Sequence, residues 1–320
     1  LIHVAGVIAE PIEVAAMAEP LFTIFIPAHN RGHVIGNALD SISVQTFGSW
    51  EIIVVDDGSD DDTSQVVSDW SSRHSVPLRY VRQDNGGKHV AHNHAVSLAR
   101  GELLMVLDSD DVLLPDALEK LAGAWRDLPE SRRAVFAGVE GLCITSAGVL
   151  HGQPYPRDVF DGDYLELRGR HGVGGEKRSA LRVDVLRAFP YPVFAGETHV
   201  RPSFIWKRIA HRHKMRFINQ VVQVVDFARD GLTASASRRR LKNTRGLFAY
   251  WRDDVLNHQA YLCRGERVRH YSEYVRYGLH AGQGLAAQWR EVPERTLWLR
   301  ALLRGGVNFL GDRVKMRRYR

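Results

Sequence analysis

At 320 residues, 44% hydrophobic and 25% charged, the chain can bury a substantial core, which excludes a miniature fold stapled by disulfides or metal. Its two cysteines, Cys143 and Cys263, form no C-x-x-C pattern; this argues against a disulfide framework or zinc site and fits a reducing cytoplasm. The net charge of +6 hides an asymmetry. Residues 238–320 hold 19 Lys/Arg against 7 Asp/Glu, a net +12, and residues 1–237 carry −6, so the basic tail is expected either to meet an anionic partner or to present a solvated face.

The first 20 residues are apolar and acidic, without the basic start of a signal peptide, and are expected to be a lead-in. Leu21–Ile26 is a β-rich run stopped by Pro27, which suits a buried strand. Ile35, Leu39 and Ile42 recur at helical spacing, and Glu51–Val55 is a second strand running into Asp56-Asp57-Gly58-Ser59. Thr63, Val66, Val67 and Trp70 predict a second helix, Leu78–Val81 a third strand, and Ala91, Ala95, Leu98 and Ala99 a third helix. Leu103–Leu107 is a fourth strand ending in Asp108-Ser109-Asp110-Asp111, followed by a helix carrying Leu118, Leu121, Trp125 and Leu128.

This alternation predicts an α/β fold with a mainly parallel, doubly wound sheet. Ligands of such sheets bind at the carboxyl ends of the strands, so the polar clusters 27–30, 56–59 and 108–111 should converge on one edge. From about Val135 to Thr233 the pattern is broken by Gly174-Gly175, Pro190, Pro192 and Gly196, and a region built from loops is expected. No apolar run reaches about 18 residues, so no transmembrane helix is predicted.

The Asp cluster at 108–111 offers hard oxygen ligands, with no Cys or His nearby to favour zinc, and suits Mn²⁺ or Mg²⁺. A turn with helix-capping character is the alternative. The Gly86-Gly87-Lys88 turn opening a helix suits anion binding through free N–H groups, or is a plain loop-to-helix junction. His89, His92 and His94 are expected on the helix surface.

Taken in order, Ile26-Pro27-Ala28-His29-Asn30, Val54-Val55-Asp56-Asp57-Gly58-Ser59 and Leu107-Asp108-Ser109-Asp110-Asp111 resemble the motifs of family 2 glycosyltransferases, over roughly residues 21–233. The resemblance implies a GT-A fold and inverting transfer of a sugar from a nucleotide diphosphate, by default a UDP-sugar, to an acceptor hydroxyl. It implies that Pro27, Ala28 and Asn30 line the nucleotide cleft, that Asp57 bonds the base, and that Asp108 and Asp110 touch ribose and metal, with Ser109 on the nucleotide and Asp111 a further metal ligand. Asp56 would be a turn residue or a nucleotide contact, and Lys88 would face phosphate or base. Phe189–Glu197 resembles the family's acidic loop, making Glu197 the expected base; Thr198 stands where the family often has Asp, so Glu176 is the second candidate.

The resulting division is a lead-in 1–20, a GT-A domain 21–237 (nucleotide-sugar half 21–130, acceptor region 131–237) and a basic helical extension 238–320. A metal-dependent nucleotidyltransferase or phosphohydrolase is the rival enzyme, weakened because neither a Walker nor a Rossmann glycine loop follows the first strand. A non-enzymatic nucleic-acid binder is disfavoured because the tail lacks zinc-finger, homeodomain or RNP patterns. In 295–320, Arg295, Arg300, Arg304, Arg313, Lys315, Arg317, Arg318 and Arg320 surround Leu297, Trp298, Leu299, Leu302, Leu303, Val307, Phe309 and Leu310. That mixture predicts docking on the inner membrane face beside a saccharide or lipid-linked acceptor, or an amphipathic helix packed on the body. Gly305-Gly306 is expected to weaken helix continuity there.

Overall fold

The computed structural model describes residues 19–225 and 240–318; most of the expected lead-in and the expected boundary near 237 lie outside the described residues. The first half follows the predicted alternation: β1 (Phe22–Ala28), α1 (Ile35–Ser43), β2 (Trp50–Asp56), α2 (Thr63–Arg73), β3 (Leu78–Arg82), α3 (Lys88–Leu98) and β4 (Leu103–Val106). Strands β3, β2, β1 and β4 lie side by side and parallel. Strand β1 does not stop at Pro27, as the sequence suggested, but pairs with β2 through Ala28. The missing N–H is tolerated for a local reason. Phe25 directs its carbonyl to Leu107, so Pro27 faces the same side two residues on, where the β4 ladder has ended at Val106.

Beyond β4 come β5 (Val112–Leu113), α4 (Ala117–Arg126), α5 (Glu130–Arg133), β6 (Phe136–Thr145), β7 (Val159–Gly162), α6 (Tyr164–Gly169), β8 (Lys177–Arg182), α7 (Val183–Ala188), α8 (Ser203–Ala210) and β9 (Lys214–Val225). The region expected to be built from loops therefore contains the two longest strands, β6 and β9, and the sheet continues through it in the order β3-β2-β1-β4-β8-β6-β9-β5, with β7 on β9. Strand β8 runs antiparallel to both β4 and β6, so the sheet is mixed beyond its parallel half. Loop-like composition in β6 has specific causes: its ladder with β9 is interrupted by register shifts at Gly138 and around Gly141. Its buried Glu140 accepts hydrogen bonds from Tyr155 and Ser179.

Alternate residues of the sheet face two cores. Ile24, Ile26, Ile52 and Val54 pack with Ile35, Leu39, Trp70, Leu118 and Trp125 of the covering helices. On the other face, Phe25, Ile53 and Val55 share a core with residues of the C-terminal helices α9 (Thr244–Asn257), α10 (Arg264–His280), α11 (Leu285–Glu291) and α12 (Arg295–Arg318), including Trp251, Tyr271, Tyr274 and Trp298. The basic extension is thus part of the same packed body.

Helix α12 runs unbroken through Gly305-Gly306, contrary to the expected weakening, and Gly305 packs closely against α10. A Cβ there would lie 2.7 Å from both the Ser272 carbonyl oxygen and the Val275 Cβ, whereas Gly306 has open space. Gly305→Ala is expected to lower stability by about 1–2 kcal/mol despite a helix-propensity gain of ~1 kcal/mol, and Gly306→Ala to raise it by up to about 1 kcal/mol. Urea unfolding of the two variants checks this; equal behaviour would contradict the close approach.

Candidate functional site

The polar clusters after β1, β2 and β4 meet at the carboxyl edge of the parallel strands, tied by hydrogen bonds between loops. Asn30 has φ 55°, a left-handed backbone that Asn tolerates better than most residues. Its N–H donates to Ser59 Oγ at 2.9 Å and its side-chain oxygen accepts from Asp60 N–H at 2.8 Å. The first loop is thereby locked onto the second. His29 Nδ1 lies 3.0 Å from the Asp57 carbonyl oxygen.

Asp56, fully buried at the end of β2, accepts from Ser59 N–H at 2.8 Å and from the Tyr80 hydroxyl, which is a turn role. Burial and the Asp56 carboxylate push the Tyr80 phenol well above its ordinary range. Asp57 accepts from the N–H groups of Gly86 (2.8 Å) and Gly87 (2.7 Å) and from Gln83 Nε2 (2.8 Å). The Gly-Gly turn was expected to offer free N–H groups to an anion; those groups are already satisfied by a carboxylate of the chain itself. The same bonds engage both carboxylate oxygens of Asp57, the residue expected to read the base.

Lys88, the first residue of α3, pairs with Asp108. Burial disfavours the Asp108 carboxylate, but Lys88 and then Arg178 more than offset it and hold the carboxyl below its usual range. Asp110 is shifted the other way, raised by partial burial and by the negative charge of Asp108. Ser109 is buried within this turn, which Asp111 N–H closes onto the Asp108 carbonyl at 3.0 Å. The buried Asp111 accepts from Gln223 Nε2 at 2.6 Å and from Arg178 Nη2 at 3.2 Å.

Oxygens of Asp108, Asp111 and Glu176 lie within 4.8 Å of one another. This is an all-oxygen donor set suited to Mn²⁺ or Mg²⁺. Asp110, expected from the sequence as a metal ligand, is outside this trio, and Glu176, expected as the second candidate base, is inside it. Arg178, like Gln223, is a residue that sequence reasoning missed. It is almost fully buried, reaches the Val106 carbonyl, and contacts Asp111 and Glu176 (3.2 and 3.6 Å). Its delivery depends on the antiparallel register of β8 against β4, Met105 opposite Ala180, which no local signal in the sequence announces.

Glu197 occupies a different place. Its two oxygens accept the N–H groups of Arg245 and Gly246, each at 2.8 Å, in the first turn of α9, where the exposed donors and the helix dipole favour a carboxylate. Reciprocally, Asn243 Oδ1 accepts from Thr198 and His199 N–H at 2.7 and 2.9 Å. Glu197→Ala is expected to cost about 1–3 kcal/mol, because two N–H groups lose their acceptor; a variant melting with wild type would contradict this. The loop reaches the nucleotide edge through Gly87, whose missing Cβ would lie 1.8 Å from the Thr198 carbonyl oxygen. His89 and His92, expected on the surface, are buried instead. His92 packs edge-on to Phe25 and Tyr191, and burial, with Lys88 nearby, lowers its pKa to about 3.

A cleft of about 930 Å³ opens at the opposite edge of the sheet, between Pro20, Gly101, Arg182 and Arg187, and holds none of these residues.

Residues 23–136 match the model of glycosyl transferase family 2. The chain is 40% identical over 111 residues to a chondroitin synthase of Escherichia coli (34% of this chain, 16% of that one). It is also 40% identical over 100 residues to a hyaluronan synthase of Pasteurella multocida (31% and 10%). The matched segments are thus small parts of these larger relatives. Among solved structures, S. aureus TarS 1-349 in complex with UDP-GlcNAc aligns with a TM-score of 0.63 at 18% identity, covering 93% of this chain and 92% of that one. The mannosyltransferase PcManGT from Pyrobaculum calidifontis, in complex with GDP-Man and Mn²⁺, aligns with a TM-score of 0.53 at 21% identity, covering 92% and 88%. These likenesses are of fold: a GT-A type α/β body with helices at its C-terminal end.

Proposed function

We propose that this chain, whose residues 23–136 match the model of glycosyl transferase family 2, transfers a sugar from a nucleotide diphosphate sugar to an acceptor hydroxyl with inversion at the anomeric carbon. The observation that carries the reading is the convergence of the Asn30, Asp56–Asp57 and Asp108 loops on one sheet edge, beside the Asp108, Asp111 and Glu176 carboxylates. Pro27, Ala28 and Asn30 line the nucleotide side, and Lys88, half-exposed and paired with Asp108, is within reach of a phosphate. Asp108 and Asp111 would hold Mn²⁺ or Mg²⁺, which when bound supplies positive charge against the diphosphate leaving group.

The acceptor oxygen forms the new bond to the anomeric carbon as the bond to the diphosphate oxygen breaks, and its proton passes to a carboxylate. Glu176 is the better candidate for that base. Its side chain keeps 37% exposure at the cluster, whereas both oxygens of Glu197 are engaged by α9. A UDP-sugar is the favoured donor, supported by the UDP-GlcNAc complex of the TarS structure of like fold. A saccharide acceptor in polysaccharide synthesis accords with the chondroitin and hyaluronan synthase relatives; a lipid-linked acceptor of glycolipid synthesis, met on the cytoplasmic side, is the other acceptor class in this reading.

Thermal melting against a panel of nucleotide sugars, with and without Mn²⁺, tests the donor assignment. UDP-sugars with metal should raise the melting temperature most. A GDP-sugar preference would move the base assignment, and no shift with any donor would contradict donor binding.

A further inference from the structure

Helix α12 presents two opposed faces. Leu297, Trp298, Ala301 and Gly305 are buried against the body, and Asp312 on the same face is held by Arg276 at 2.6 and 2.7 Å and by His280 at 3.1 Å. On the opposite face stand Leu299, Leu303, Val307, Leu310 and Val314, with exposures of 54, 79, 59, 62 and 55%. Steps of four, four, three and four residues align them in one stripe about 22 Å long. Isolated exposed apolar residues need no explanation, but a continuous row opposite a satisfied core face does.

The charges around the stripe indicate what covers it. Arg300 and Arg304 flank it on one side, Arg295 and Arg313 on the other, and all four are exposed. The only acid in α12 is Asp312, which is buried and paired. A second copy packed on this stripe would set arginine against arginine with no exposed acid to balance it. A bilayer bearing anionic headgroups matches both features: the apolar row enters the headgroup–acyl boundary, while the arginine stems lie along it with their guanidinium groups on phosphates.

We infer that the outward face of α12, from Leu299 to Val314, is a docking surface for an anionic lipid bilayer, lying in its plane. No helix among the described residues is long and apolar enough to cross a membrane; the inferred contact is made by one face of α12 lying along the surface. The inference is independent of the transfer reading, because lipid binding is measured without donor or acceptor.

The test is co-sedimentation of the full chain with vesicles of phosphatidylcholine alone or mixed with phosphatidylglycerol, at low and high salt, beside sedimentation velocity without lipid. Binding to the anionic vesicles is expected to exceed binding to neutral ones by about tenfold or more and to weaken with salt. Leu303→Glu/Leu310→Glu should lose about tenfold in binding with an unchanged melting temperature, since both side chains are outside the core. Arg300→Gln/Arg304→Gln should reduce the salt dependence. Absence of binding to anionic vesicles, or binding indifferent to the leucine variant, would overturn the inference. So would self-association without lipid that the leucine variant abolishes, with no vesicle binding, because the stripe would then be an interface between copies.

Discussion

Asp108→Asn is expected to lower sugar transfer by about 10²–10³-fold while the protein stays folded. Asp108 stands just past the end of β4, where Lys88 and Arg178 hold its carboxylate ionised against the effect of burial. It links the basic start of α3 to the acidic trio. Removing its charge withdraws a cation ligand opposite the diphosphate and leaves Lys88 without its partner. Lys88 is 39% exposed and can be hydrated, so the cost should fall on turnover more than on stability. Turnover and far-UV circular dichroism of the variant check both halves; wild-type activity would contradict the assignment.

The largest expected effect on stability belongs to Arg178→Met, at about 3–5 kcal/mol, because it strands the buried Asp111 carboxylate, beside the part-buried Asp108, around a vanished cation. Arg178 spans from the end of β4 to Asp111 and Glu176. The pH dependence follows from the Asp108 shift. In the wild type that carboxyl is held below its ordinary 3.8, so its contribution is fully present above about pH 4 and is lost as pH falls through the lower folded value. In the variant the same carboxyl loses one of the cations that lower it, keeping Lys88 and Arg31, and can relieve the penalty by taking up a proton. The gap between wild type and variant, measured by urea unfolding, should therefore be greatest near neutrality and narrow as pH falls below about 4. A gap that widens on acidification would contradict this electrostatic origin.

How much of this was legible in the sequence differs between the halves. Strands β1, β2 and β4 are short buried runs that end in polar clusters, and both the period and the punctuation are local. The second half resisted because its strands are justified only by distant partners. Glu140 in β6 is satisfied by Tyr155 and Ser179, and Arg216 in β9 by Asp161. The site shows the same division. Asp56, Asp57, Asp108 and Asp111 were visible as a pattern, but Arg178 and Gln223 reach Asp111 only through the registers of β8 and β9. The Gly86-Gly87 turn has the composition of an anion cradle, yet Asp57 fills it from within, and composition cannot tell an internal anion from a ligand. Glu197 fits a family motif by position, while its hydrogen bonds serve α9.

The most direct test of the central claim is to incubate the full chain with UDP- and GDP-sugars and saccharide acceptors, with Mn²⁺ or with chelator. The nucleotide released and the anomeric configuration of the product are then measured. Metal-dependent release of nucleoside diphosphate, with an inverted glycosidic product, is the expected result; release of nucleoside monophosphate, or a product of retained configuration, would contradict it.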